Sequence, residues 1–140
     1  MKKLLLDTNA LLWAALDLLD DETSRLVRGP SSDVYFSTAS IWEIGIKNSR
    51  HRPDFRVNAA EFRREILNTG SQEINIEIEH ILATGNLPAI HKDPFDRILI
   101  AQANIQHLTL LTADITIAKY PGDIQLIPTP KPDFDKEWAE

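Results

Sequence analysis

Four carboxylates stand where a stability argument would not place them. Asp7 ends the apolar run Leu4-Leu5-Leu6, Glu43 lies within Ile41-Trp42-Glu43-Ile44-Gly45-Ile46, Asp96 precedes Ile98-Leu99-Ile100-Ala101, and Asp114 follows Leu108 to Thr112. Each adjoins a segment expected in the core, where an ionised carboxylate must shift its pKa, find a basic partner or bind a metal. Taken singly, each has an ordinary explanation. Asp7 can be a turn residue, Asp96 and Asp114 helix N-caps, and Glu43 the partner of Lys47 at i,i+4. Taken together they would repel one another wherever the fold brought them close, and a divalent cation resolves that repulsion. Oxygen ligands alone suit Mg²⁺ or Mn²⁺ rather than Zn²⁺. Such a cation activates water and stabilises the charge that builds on a phosphodiester, and two of them clamp the attacking and leaving oxygens.

The elements that must position these acids follow from the hydrophobic pattern. Lys2 to Leu6 reads as a buried strand and Ala10 to Leu19 as a core helix. Thr23 can cap a short helix that ends at Gly29-Pro30, Val34 to Ser37 suits a second strand, and Ser40 can cap a helix through about Asn48. Arg50 to Val57, with Pro53, reads as a loop. Asn58 with Glu61 three residues on resembles a capping box, opening a helix that stops at Gly70. Glu73 to Ile78 alternates isoleucine with polar residues, the pattern of an edge strand. A brief helix over His80 to Thr84, a turn-rich loop over Gly85 to Pro94, a helix over Asp96 to Gln106, a strand over Leu108 to Leu111, a short helix over Asp114 to Lys119 and a strand over Ile124 to Ile127 complete the chain. Strands alternating with helices predict an α/β fold of three layers, α/β/α, around a mainly parallel sheet. In such sheets sites form outside the carboxyl ends of the strands, and Asp7, Asp96 and Asp114 are expected at that edge, with Glu43 one turn into the helix after the second strand.

The 140 residues fit one domain. Residues 1 to 127 are expected to form it, leaving 128 to 140 as a Pro-rich tail. With 43% hydrophobic and 26% charged residues the chain belongs with ordinary globular proteins. No apolar run is long enough to span a membrane, and Leu4-Leu5-Leu6 is too short for a secretory signal, so a cytoplasmic location and no membrane partner are expected. The absence of cysteine excludes disulfides, thiolate nucleophiles and Cys-type zinc sites. Fifteen basic residues against 21 acidic ones, a net charge of -6, exclude a surface that binds nucleic acid indiscriminately. The four singled-out acids carry two-thirds of that excess.

The segments LLLDTNALLW at 4 to 13, STASIWEIGIK at 37 to 47, HKDPFDRILIAQA at 91 to 103 and LLTADITIAKY at 110 to 120 resemble the four acidic motifs of PIN-domain nucleases. They are similar in particular to the VapC-type toxins of bacterial toxin–antitoxin pairs. The resemblance covers residues 1 to about 127. It implies a Mg²⁺- or Mn²⁺-dependent endoribonuclease with an RNA substrate, a cognate antitoxin protein and a homodimeric state. By motif, the catalytic and metal-binding acids would be Asp7, Glu43, Asp96 and Asp114.

The polar neighbours stay open. Asp93 either supports the metal-binding acids from behind or, in Asp93-Pro94, forms a turn, and the turn is slightly favoured. Thr8 and Asn9 are explained equally by capping and by a place beside the metal, while Thr112 can orient Asp114. Lys47 and Arg50, with His51 and Arg52, and separately Arg97, are candidate RNA contacts against the default of a solvated face. His80, His91 and His107 read as surface or core imidazoles, and core roles are expected for Trp13 and Trp42. A Mg²⁺-dependent phosphohydrolase is a rival, weakened because Asn9 stands where a second acid would be wanted. A catalytically silent PIN-like binding module is the other, weakened by the retention of all four acids.

Overall fold

The computed structural model describes residues 1–49 and 57–130. Its elements, in chain order, are β1 (Lys2–Leu6), α1 (Thr8–Ala15), α2 (Asp21–Arg28), β2 (Ser32–Ser37), α3 (Thr38–Ser49), α4 (Ala59–Asn68), β3 (Gln72–Ile74), α5 (Ile78–Thr84), α6 (Pro94–Gln106), β4 (Thr109–Thr112), a 3-10 turn (Ile117–Lys119) and β5 (Ile124–Leu126). The five strands form one sheet in the order β3-β2-β1-β4-β5, and every pairing is parallel. Helices cover both faces, which is the expected three-layer α/β/α architecture. Among the described residues, no helix is long and apolar enough to cross a membrane.

The central strand shows why the sheet must be covered twice. Leu4 and Leu6 pack with Leu12, Ile44, Phe62 and Ile66 from α1, α3 and α4, whereas Leu5 between them packs with Leu99 and Ile100 of α6 and with Leu110. Successive side chains of a strand point to opposite faces, so an unbroken apolar run requires apolar cover on each. Loss of a side chain as enclosed as Leu5 costs roughly 2–5 kcal/mol.

Several boundaries differ from the sequence expectation, each for a local reason. The first core helix ends at Ala15 rather than Leu19, because Asp17 adopts φ 58° and the N–H groups of Asp17 and Leu18 close onto the carbonyls of Ala14 and Trp13. That closure is a Schellman motif with Asp17 where glycine is usual. Asp20, not Thr23, caps α2, its Oδ2 accepting from Thr23 N–H at 3.2 Å. The helix after β2 starts at Thr38, and Ser37 rather than Ser40 holds its first turn through a 3.0 Å bond from Ala39 N–H to Oγ. The edge strand β3 is only Gln72–Ile74, since Glu77 already serves as N-cap of α5. Asn58 caps α4 as expected, accepting from Glu61 N–H at 3.0 Å. The expected helix over 114–119 shrinks to the single 3-10 turn. Trp13 is buried, but Trp42 is 61% exposed, contrary to its expected core role, and its ring meets Phe95 edge-on at 5.0 Å. Arg50, most of the loop expected over Arg50 to Val57, and the tail beyond residue 130 lie outside the described residues.

Candidate active site

The strand order reverses direction between β1 and β4, and the crevice at the carboxyl ends of these two strands is the switch point of the sheet. The expected acids meet there. A cleft of about 220 Å³ is lined by Asp7, Glu43, Asp93, Asp96 and Asp114, with Thr8, Asn9, Lys47 and His91 between them. A larger hollow of about 530 Å³ elsewhere, bordered by Leu11, Ala14, Val27 and Ile66, brings together no comparable set of acids.

Asp7 is the first residue past β1, and its N–H bonds Leu111 O of β4 at 3.1 Å, so both central strands fix it. Its Oδ1 caps α1 by accepting from Ala10 N–H at 2.8 Å, and its Oδ2 accepts from the Thr112 hydroxyl at 2.6 Å. The same Thr112 oxygen accepts from Asp114 N–H at 3.0 Å. One hydroxyl therefore ties the acid after β1 to the acid after β4. Asp114 in turn accepts from Thr116 N–H through Oδ1 at 2.8 Å, leaving Oδ2 toward the cleft side where His91 stands. Thr8 donates its one hydroxyl proton to the buried Ser40 hydroxyl at 2.9 Å, and its oxygen lies beside Glu43. Ser40, expected as a cap, thus joins α1 to α3 behind the site.

Asp93 proves to be the N-cap of α6, with Oδ1 accepting from Phe95 N–H at 2.8 Å and Asp96 N–H at 3.4 Å. The helix opens two residues earlier than expected, with Pro94 at its first position, where its missing N–H costs nothing. Asp96 sits inside the first turn rather than at the cap. Asp93 is the turn-forming acid, and it also lines the cleft.

The electrostatics follow from burial and crowding. Burial pushes the Asp7 carboxyl from 3.8 up to about 6, against the hydrogen bonds from Thr112 and Ala10. Asp96 is pushed further, to about 8, first by burial and then by the charges of Asp93, Asp7, Glu43 and Asp114. Glu43 is also raised, chiefly by burial and opposed by the neighbouring Thr8 hydroxyl. Two acceptors in this lining, Glu43 Oε1 and Asn9 Oδ1, are buried with no hydrogen-bond partner. Buried lone pairs without donors are costly. Together with the crowded carboxylates they fit a hard divalent cation, and the residues that would hold it are Asp7, Glu43, Asp96 and Asp114, with Asn9 beside them.

Two sequence expectations change here. Arg97 is engaged within the chain, its guanidinium donating to the carbonyls of Thr84 at 2.6 Å, Pro88 at 2.9 Å and His91 at 3.4 Å, and to Tyr120 Oη at 3.2 Å. It binds down the loop before α6 and does not line the cleft. His91, read as an ordinary imidazole, instead points Nε2 at Asp96 Oδ2, 3.1 Å away, and at Asp114 Oδ2, 3.5 Å away. The available signal was its position two residues before Asp93 in His91-Lys92-Asp93-Pro94, but a loop residue's direction has no periodicity to reveal it.

Residues 4–123 match the family model described as the PIN domain. The chain belongs to the PIN domain family. This PIN domain is similar in fold to VapBC2 from Rickettsia felis, solved bound to a DNA fragment from their promoter, with a TM-score of 0.68 and 14% identity over 90% of this chain and 99% of that one. It is also similar to DNA-bound VapBC from Salmonella typhimurium, with a TM-score of 0.62 and 16% identity over 89% and 98% of the two chains. VapBC-1 from nontypeable Haemophilus influenzae gives 0.57 and 17% over 89% and 97%. At such identities the likeness is one of fold. A search of curated proteins finds no match to this PIN domain sequence.

Proposed function

We propose that this PIN domain is a Mg²⁺- or Mn²⁺-dependent endoribonuclease that acts as the toxin of a toxin–antitoxin pair. The observation that carries the nuclease reading is the convergence of five carboxylates, two with pKa values raised to about 6 and about 8, on a cleft that also holds two orphaned acceptors. A bound cation supplies Lewis acidity toward a phosphodiester and lowers the pKa of water. The chain's own part is to hold the oxygens in place. Thr112 fixes Asp7 and the backbone of Asp114, Thr8 ties α1 to α3 through Ser40 beside Glu43, and the α6 cap at Asp93 aims Asp96. Lys47, which lines the cleft, is the proposed phosphate contact, and Arg97 is withdrawn from that role.

The toxin assignment is supported by the four motifs that resemble VapC-type toxins and by the fold likeness to chains of VapBC complexes. On this reading a cognate antitoxin silences the enzyme by inserting an Arg or Lys among the acids and displacing the cation. A homodimer belongs to the same proposal, and α5 offers it an apolar face in Ile78, Ile81 and Leu82, which are 50–67% exposed. The test of the activity is cleavage of end-labelled RNA with Mn²⁺. Internal cutting that stops on chelation and in Asp96→Asn is expected, whereas equal cutting by the wild type and that variant would remove the site.

A further inference from the structure

We infer that His91 is a nitrogen ligand of the cation, so that the cleft binds through a mixed nitrogen and oxygen set rather than through acids alone. The inference rests on the proposal that this cleft holds a divalent cation. His91 Nε2 and one carboxylate oxygen each from Asp96 and Asp114 lie within 4.8 Å of one another. Its separations of 3.1 and 3.5 Å from those oxygens are the spacing of neighbouring donors around a cation about 2.1 Å from each.

The loop is also built to present this ring. His91 N–H donates to Tyr120 Oη at 2.7 Å, and Tyr120 Oη donates back to His91 O at 3.3 Å. Arg97 grips the same carbonyl and is itself anchored on Tyr120 Oη and the carbonyls of Thr84 and Pro88, so the backbone that carries His91 is held by Tyr120 and by Arg97 of α6. The missing partner is indicated independently by Glu43 Oε1 and Asn9 Oδ1, both buried and unbonded in the same lining. Ligation through Nε2 uses the neutral ring with its proton on Nδ1. What it gives up is the contact from Asp93 N–H to Nδ1, which at 3.4 Å is at the far limit of a hydrogen bond.

An imidazole ligand has a chemical consequence. Mg²⁺ favours oxygen donors and keeps its waters, whereas Mn²⁺, a larger first-row transition ion, accepts a nitrogen more readily. His91 would therefore raise affinity for Mn²⁺ more than for Mg²⁺. The experiment is pulsed electron paramagnetic resonance of Mn²⁺ bound to the full chain, with and without ¹⁵N-histidine labelling, alongside Mn²⁺ and Mg²⁺ titrations of His91→Gln and His91→Ala. Expected are a histidine nitrogen coupling in the wild type, its loss in both variants, and a loss of Mn²⁺ affinity of about 10- to 100-fold that exceeds the loss for Mg²⁺. Bound Mn²⁺ without nitrogen coupling in the wild type overturns the ligand assignment and leaves the acidic site standing, and the labelled wild type gives this answer whether or not the variants fold. A coupling that persists in His91→Gln assigns the nitrogen elsewhere and also overturns it. Failure of Mn²⁺ to bind the wild type at all overturns the cation site beneath it.

Discussion

Glu73 on the edge strand and Asp96 in the cleft are both carboxylates set against the folded body, yet their environments push them in opposite directions. Glu73 receives Arg63 from α4 through two bonds, at 2.5 and 2.9 Å, and its carboxyl is held below its ordinary value by that guanidinium. Asp96 faces Asp93, Asp7, Glu43 and Asp114, and is pushed to about 8 by burial and by these neighbours. The first acid is completed within the chain. The second meets four acids that make its charge harder to hold and one imidazole, His91, 3.1 Å from its Oδ2, and carboxylates crowded around a single ring are left to be completed from outside.

The contrast is broken most forcefully at the cleft itself. Asp7→Asn or Asp96→Asn should lower RNA cleavage by at least about 100-fold, since a cation supplies several kcal/mol of transition-state stabilisation. Single-turnover cleavage with Mn²⁺ checks this. Thr112→Val should act through Asp7 and Asp114 and weaken Mn²⁺ binding by about 10-fold, the scale expected for a group that orients ligands, read by titration of the metal.

The two regions should also differ in the sign of their pH dependence. Between pH 3.8 and their folded values of about 6 and about 8, Asp7 and Asp96 keep protons that the unfolded chain has released. The folded state then binds more protons than the unfolded one, so the cation-free protein loses stability as pH rises through that window. Glu73, with its value lowered, contributes stability that is present near neutral pH and lost on acidification. Thermal unfolding in the presence of a chelator should therefore show Asp96→Asn more stable than the wild type at about pH 8, with the difference shrinking toward pH 4. Added Mn²⁺ should reverse that order by stabilising the wild type. The smallest effect is expected at the satisfied pair, where Glu73→Gln should leave cleavage unchanged and barely move the unfolding midpoint, because exposed ion pairs contribute little.

The sheet and the four acids were legible in the sequence because both rest on long-range regularities. The run Leu4-Leu5-Leu6 demands cover on both faces, and an acid at its end has few ways to be satisfied. What escaped was set by single local contacts. Nothing in the pattern distinguishes Asp93 from Asp96 as the cap of α6, since either can precede an apolar helix and only the turn at Pro94 decides. Asp17 stops α1 by adopting a left-handed conformation that apolar periodicity does not encode. The surroundings of Arg97 and His91 escaped for the same reason. An arginine beside an acid looks like a phosphate contact until the carbonyls of the preceding loop are seen around it, and a loop histidine has no face until that loop is tied to Tyr120.

The central claim, that the cleft is a cation site made of acids which hold protons until the metal arrives, is tested most directly by calorimetric titration of Mn²⁺ at about pH 7 in two buffers of different ionisation enthalpy. With Asp96 at about 8, binding should release about one proton per cation, so the measured heat should differ between the buffers and the release should fall in Asp96→Asn. Absence of Mn²⁺ binding, or heats that agree in both buffers and are unchanged by Asp96→Asn, would contradict it.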